Sequence, residues 1–568
     1  MASESSPAPA TSAARRSRAV ALMASGTLVS RILGFLRTAL LAVAIGTTSD
    51  VGDLFEKANT IPTIIFMLLA GGIFNVILVP QLIKASKAAD RGSAYTSKLM
   101  TLTITVMAVI TVALTAAAPW IIKALTSGWD EPKLALATIF AYWCMPQIFF
   151  YGVYAVAGQV LNSHGRFGAY MWAPVANNVI QLVMIGVYLV MFGAYQDGRH
   201  TQLMQWSTSQ TVVLAGGATL GIVAQAVVLF WPLRRLGLGL KPDFKWRGIG
   251  LKHVGQLAAW TLGAMVVGNL TALYFGKIVS AATQARQHMG SAGASVAGEA
   301  ALNQSQLITV LPHSIFALSL ATVLFNDLSN AFADRRFQDV GPLVSKGLRT
   351  TAVPIMFFTV AFIVLAGPLG RLFGGTSATA AVDAGAAVAT LVVLTALGLP
   401  AKSYAFYLMR VFYAHEDTKT PMLLQVSYAL VGLAAAFIAS ITLEPQYLAQ
   451  ATAVIYAASN TVQAIVAHVA VTKRYGGYGA GRVLSSYIRI GWLATFAGLA
   501  GGVVLALLGG YDFGYAWSGY TPAILSLVLA GLTMGGVFLV LLRLANVSEL
   551  EDFLGPLARR IPGGPKRR

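Results

Sequence analysis

Arg31 and Arg37 stand in the stretch SRILGFLRTALLA, residues 30–42, inside an apolar run long enough to cross a bilayer. A charged side chain at bilayer depth costs about 2.5–3.5 kcal/mol even on the lenient insertion scale, so intramembrane arginines face a wet interior or a partner. At about 100° per residue the two lie about 120° apart around a helix. Gly34 falls midway, Thr27 and Thr38 near Arg31, while Val29, Ile32 and Leu36 take the opposite face. Their axial separation of about 9 Å is too large for both to snorkel to one interface. A salt bridge or snorkelling at the cytoplasmic end is the alternative for each, and a stronger one for Arg31 than for Arg37. Lys277, in ALYFGKIVSAA, is a third candidate intramembrane cation, with snorkelling at the outer end of its span as its alternative. Three cations with few embedded acids suit an anion. Arginine's forked donors match phosphate oxygens bidentately, which points to a phosphorylated substrate rather than a cationic drug.

Other chemistries lack their residues. The sequence contains no HExxH, GxxxxGK, GxSxG or CxxC. Cys144 is the only cysteine, so no disulfide forms within one chain. The seven histidines are scattered, and His313, after Pro312, reads as a packing group. DVGD at 50–53 has the look of a metal-binding carboxylate pair, but loop acids of this kind are usually solvated. The expectation is a transporter and not an enzyme, with no cofactor and no metal.

The elements that must hold these cations are transmembrane helices. Of 568 residues 56% are hydrophobic and 11% charged, with a mean hydropathy of +0.69, which makes the chain a polytopic membrane protein. The net charge of +19 sits in short segments between apolar runs and reads as topology, not as a nucleic-acid surface. With about 20 apolar residues per span, fourteen spans are predicted: 19–45, 60–83, 99–123, 135–160, 168–193, 210–232, 254–280, 304–330, 350–370, 380–408, 420–443, 447–471, 485–509 and 520–543. Lys84, Lys87, Arg91 and Lys98 share one loop, and Arg234, Arg235, Lys241, Lys245, Arg247 and Lys252 another on the same side. Both termini are therefore expected in the cytoplasm of a plasma-membrane protein. The fold class is all-α with two repeated lobes. A disordered tail (1–18) precedes an N-lobe (19–232), a basic linker (233–253), a C-lobe (254–471), an extra helix pair (485–543) and a basic tail (544–568). The repeat, at about 250 residues, pairs PTIIFMLLAGGIFN from Pro62 with PHSIFALSLATVLFN from Pro312, and YGVY at 151–154 with YAFY at 404–407. Repeated halves in one orientation place a substrate site between them.

SRILGFLRTALLA, DLFEKANTIP containing Asp53, LNSHGRFGAYMWAPVANN at 161–178 and RVFYAHEDTKTP at 410–421, in that order, resemble the MviN/MurJ family, the lipid II flippases of the multidrug/oligosaccharidyl-lipid/polysaccharide exporter superfamily. The resemblance covers essentially all spans and suggests an actinobacterial-type member. It implies a two-lobed, fourteen-helix carrier that moves undecaprenyl-pyrophosphate-linked disaccharide-pentapeptide outward by alternating access, for cell-wall synthesis. It also implies functional residues at Arg31, Arg37 and Asp53. The family's second-span arginine falls at Phe66, its Arg-x-x-Glu before the span-8 proline at Leu307 and Val310, and the glutamate of its Glu-Gly pair at Gly71. Lys277 is the candidate to compensate. Spans 13 and 14 resemble the family's extra pair, where a prenyl tail could rest. Expected partners are lipid II, membrane lipids and peptidoglycan synthases, and no nucleic acid. The alternatives are a flippase for another polyprenyl-linked glycan and a non-transporting scaffold for cell-wall enzymes.

Overall fold

The computed structural model describes residues 10–68, 79–86, 88–195, 203–246, 255–287, 289, 293 and 295–375 with 380–551. Among them every regular element is a helix. The long ones are α1 (Ala10–Ile45), α2 (Asp50–Met67), α3 (Ser93–Ala116), α4 (Glu131–Ser163), α5 (Phe167–Phe192), α6 (Thr208–Arg234) and α7 (Gly255–Arg286). They continue as α8 (Glu299–Ala333), α9 (Phe337–Val364), α10, α11 (Lys419–Thr442), α12 (Leu448–Tyr475), α13 (Ala480–Leu507) and α14 (Tyr520–Leu544). Among the described residues twelve helices are long and apolar enough to cross a membrane, and α10 adds a thirteenth as a pair, Ala381–Ala396 and Leu399–Ala414, bent by 42°. The expected second span, 60–83, begins in α2 and ends in a short helix, Val79–Ser86, but its middle lies outside the described residues.

One expectation is corrected. Helix α1 begins at Ala10, so residues 10–18, read as a disordered tail, are helical. The segment ATSAARRSR is rich in alanine and arginine, two strong helix formers, and it continues a membrane helix that has already met the cost of nucleation.

The two halves repeat in their packing. Helix α1 lies on α5 as α7 lies on α11, α3 on α4 as α9 on α10, and α6 on α5 as α12 on α11. Helices α13 and α14 pack on each other and α13 on α9, beside the C-lobe. In α1, Ile32 and Leu36 face outward at 59% and 46% exposure, as the periodicity requires. The inner stripe is built for close approach. Asn178 of α5 donates to the carbonyl and hydroxyl of Ser30 at 2.8 and 3.1 Å, and Gly26, one turn earlier, leaves space that the Trp172 ring of α5 fills. This seam turns the next members of the stripe, Arg37, Thr38 and Leu41, toward the interior.

Candidate functional site: a recessed cavity under an interlobe lock

A cavity of about 240 Å³ lies among α1, α2, α5, α6 and α8, and so between the lobes. Arg37 lines it together with Glu56, Asn59, Gln181, Asn303 and Gln304. Glu56 accepts hydrogen bonds from Asn303 Nδ2 at 3.0 Å and Thr60 Oγ1 at 3.3 Å. Arg37 makes no ion pair among the described residues; its electrostatic neighbours are Tyr151 and Glu56. The amides in the wall are held by hydrogen bonds, Gln147 Nε2 donating to Asn59 Oδ1 at 3.1 Å and Gln181 Nε2 to Asn177 Oδ1 at 2.6 Å, while Leu41, Phe55, Met67, Met184 and Leu307 make the rest of the lining largely apolar. A half-buried guanidinium that makes no ion pair among the described residues is suited to receive an anion that brings its own oxygens.

Above the cavity, at the end away from the basic loops, the lobes are clamped. Asp53, fully buried in the first turn of α2, pairs with Arg286 NH2 of α7 at 2.7 Å and accepts from Thr283 Oγ1 at 2.8 Å. Its second oxygen accepts the backbone N–H of Ala300 at 2.8 Å. That bond makes Asp53 a cap for α8 supplied by the other lobe, since the helix's own N-cap, Gly298, has no side chain to offer. A methyl group on Gly298 would overlap the Asp53 carboxylate and Arg286. Arg286 also reaches Asp50 at 3.2 Å and the Val296 carbonyl at 2.9 Å. Lys133 pairs with Asp50 at 3.4 Å, and Lys57 of α2 with Glu299 of α8 at 2.6 Å. Trp129 Nε1 donates to the Ser280 carbonyl at 2.8 Å, and Thr47 Oγ1 to the Phe373 carbonyl at 2.8 Å. The reading of DVGD as solvated loop acids is thus corrected: both aspartates open α2 and face the partner lobe, where cations and a helix N-terminus replace water.

A family model described as "Lipid II flippase MurJ" matches residues 41–522. The chain belongs to the MurJ family. The match begins after Arg31 and Arg37 and takes in Asp53 and Lys277. Among curated MurJ proteins, a probable lipid II flippase of Rhizobium meliloti (strain 1021) is 26% identical over 454 residues, covering 78% of each chain. The lipid II flippase MurJ of Burkholderia cenocepacia is 26% identical over 425 residues, 73% of this chain and 76% of that one. A solved MurJ structure in an inward closed conformation superposes with a TM-score of 0.67 at 18% identity, covering 94% and 99%. An inward-facing MATE multidrug transporter of the MOP superfamily gives 0.61 at 15%, covering 79% and 96%. The MurJ family is one of transporters, so the chain is no enzyme, and the family and the long apolar helices together make it a multi-pass inner-membrane protein.

The four residues singled out in the sequence of this MurJ-family chain do not converge on one point. Arg37 alone lines the cavity. Arg31 is half-buried on α1, six residues nearer the basic end, with no ion pair among the described residues. Asp53 belongs to the lock. Lys277 is half-buried beside Gly276, whose Cα faces the Lys57–Glu299 pair. At the positions where the family's charges are absent, Phe66 stacks on Tyr151 with ring centroids 4.5 Å apart, and Leu307 is part of the cavity wall. Gly71 lies outside the described residues. Sequence reasoning passed over Glu56, although it stands three residues after Asp53 in the quoted motif. It also passed over Lys402 and Arg410 in α10, which lie within about 80° of each other around the helix. Lys402 Nζ donates to Tyr456 OH at 2.5 Å, and the Arg410 guanidinium sits 4.6 Å from the Phe406 ring. Neither has an acidic partner among the described residues.

Proposed function

We propose that this chain carries lipid II from the cytoplasmic to the outer leaflet by alternating access. The observation that carries the reading is Arg37, a guanidinium that makes no ion pair among the described residues, in a cavity between two lobes, beneath a lock that closes one end. A pyrophosphate offers the paired oxygens that a guanidinium fork accepts. Arg31 lies on the approach from the basic end, and the prenyl chain stays in lipid while the head group crosses. Asp53 serves this cycle as a gate residue: the lock must form when the cleft faces the cytoplasm and break when it faces outward. The test is depletion of the protein in a cell that depends on it, with the leaflet distribution of lipid II read by an impermeant probe. Lipid II should accumulate on the inner leaflet; unchanged export, or accumulation of a different polyprenyl-linked glycan, overturns the reading.

The cycle requires the basic end to be cytoplasmic. Reporter fusions at residues 90, 240 and 475 are expected to read inside, and an outside signal at any one of them contradicts the orientation.

We also assign Lys277 to the path of the head group. With Cys144 changed to serine, Lys277→Cys should be labelled by a water-borne maleimide and protected by pyrophosphate. Access without protection would make Lys277 an interfacial anchor; no access would make it a structural charge beside the lock.

A further inference from the structure

The segment joining the two lobes is not laid loosely on the bilayer. After α6, residues 236–243 run back along α3 and are bonded to it by side chains. Ser93 donates to the Leu238 carbonyl, Ser97 Oγ accepts the N–H of Lys241 at 3.2 Å, and Thr101 Oγ1 accepts that of Asp243 at 2.9 Å. Gly237 and Gly239 take left-handed backbone, with φ of 65° and 58°, which turns Leu236 and Leu238 into the protein. The result is a groove of about 420 Å³ between α3, the end of α6 and this strap. Ile104, Leu233 and Leu240 give it an apolar floor, while Arg234 and Lys241 stand exposed on its rim. Neither cation has an ion-pair partner among the described residues.

The geometry points to a binding site for an anionic glycerophospholipid, with an acyl chain in the groove and the phosphate between Arg234 and Lys241. Three observations select this occupant. The groove lies between membrane helices at the end that bears the basic loops, where apolar depth meets a charged rim. Residues 234–245 hold four cations against the single carboxylate of Asp243, and that carboxylate is engaged by the N–H of Lys245 at 2.9 Å. The level is marked by aromatic anchors: Trp231 and Phe244 are 64% and 66% exposed, and the Arg235 guanidinium lies 3.7 Å from the Trp231 ring. Basic pockets at this height recognise anionic head groups, and each nearby cation adds about fivefold to affinity. A bound lipid would fasten the strap to the N-lobe.

The full chain in phosphatidylcholine nanodiscs, doped with photoreactive phosphatidylglycerol, tests this. Crosslinks should map to residues 97–104 and 230–242 and be competed by unlabelled phosphatidylglycerol but not by phosphatidylcholine. R234A combined with K241A removes two exposed side chains and should lower labelling on the order of twentyfold, with the elution profile unchanged. Equal labelling by a photoreactive phosphatidylcholine, crosslinks elsewhere only, or undiminished labelling of the double variant would each overturn the site.

Discussion

Arg37→Ala is expected to abolish growth of cells whose own lipid II flippase has been depleted, while the protein still inserts and accumulates. The side chain lines the cavity and makes no ion pair among the described residues, and Glu56, its acidic neighbour, keeps its hydrogen bonds from Asn303 and Thr60, so its removal breaks no salt bridge and α1 keeps its seam with α5 through Ser30 and Asn178. What is lost is the recognition of the anion. Each hydrogen bond to a charged group contributes about 1.5–3 kcal/mol, so removing a bidentate contact weakens substrate capture by about two orders of magnitude or more. Arg37→Lys should also fail to support normal growth, because a point charge keeps the attraction and loses the fork. Normal growth of the alanine variant, at wild-type protein level, would remove the main support for an anionic head group in this cavity.

The second large effect is expected at Asp53. Asp53→Ala leaves Arg286, 93% shielded from solvent, with Asp50 as its one remaining carboxylate, and withdraws the cap from α8. Breaking one side of a buried pair costs at most about 3–5 kcal/mol, less here because Asp50 stays beside Arg286, and losing a cap about 1 kcal/mol. Since the lock exists only while this end is closed, the cost falls on that conformer alone and shifts the population toward opening here. Thr63→Cys, a probe on the cavity wall, should react with an impermeant maleimide from the outer face at least tenfold faster in the Asp53→Ala background. Cys144 is buried and need not interfere. Gly298→Ala should act in the same direction by pushing the carboxylate off the helix end. A slower or unchanged reaction in both variants would show that these contacts do not hold the gate.

Much of this was legible in the chain because the information was local. The polar stripe of α1 follows from spacing, and the structure sets Ile32 and Leu36 outward and Arg37 inward, as a 3.6-residue period demands. The recurrence of Pro62 at Pro312, inside α2 and α8, marks helices that occupy equivalent places in the two lobes. The lock was not legible. Asp53 and Arg286 are 233 positions apart, Lys57 and Glu299 are 242 apart, and each alone looks like a loop charge at a membrane surface. Only the docking of α2 against α7 and α8 makes them partners. Arg37 was found by its improbability in lipid, a signal that needs one helix; Glu56 was missed because a polar neighbourhood hid it. The helical start of α1 was missed for a related reason, since composition suggested disorder while the downstream helix imposed its own continuation.

The clamp at the far end joins Asp50, Asp53 and Glu299 to Lys57, Lys133 and Arg286, three negative and three positive groups. Moved together, such a set carries no net charge through the membrane field, in which each uncompensated unit charge is worth about 2.3 kcal/mol per 100 mV. Opening and closing this door is therefore electrically silent. In the proposed cycle a voltage applied across the bilayer would act instead on Arg37 and the anion it binds, so the potential would bear on the cargo step and leave the latch to chemistry.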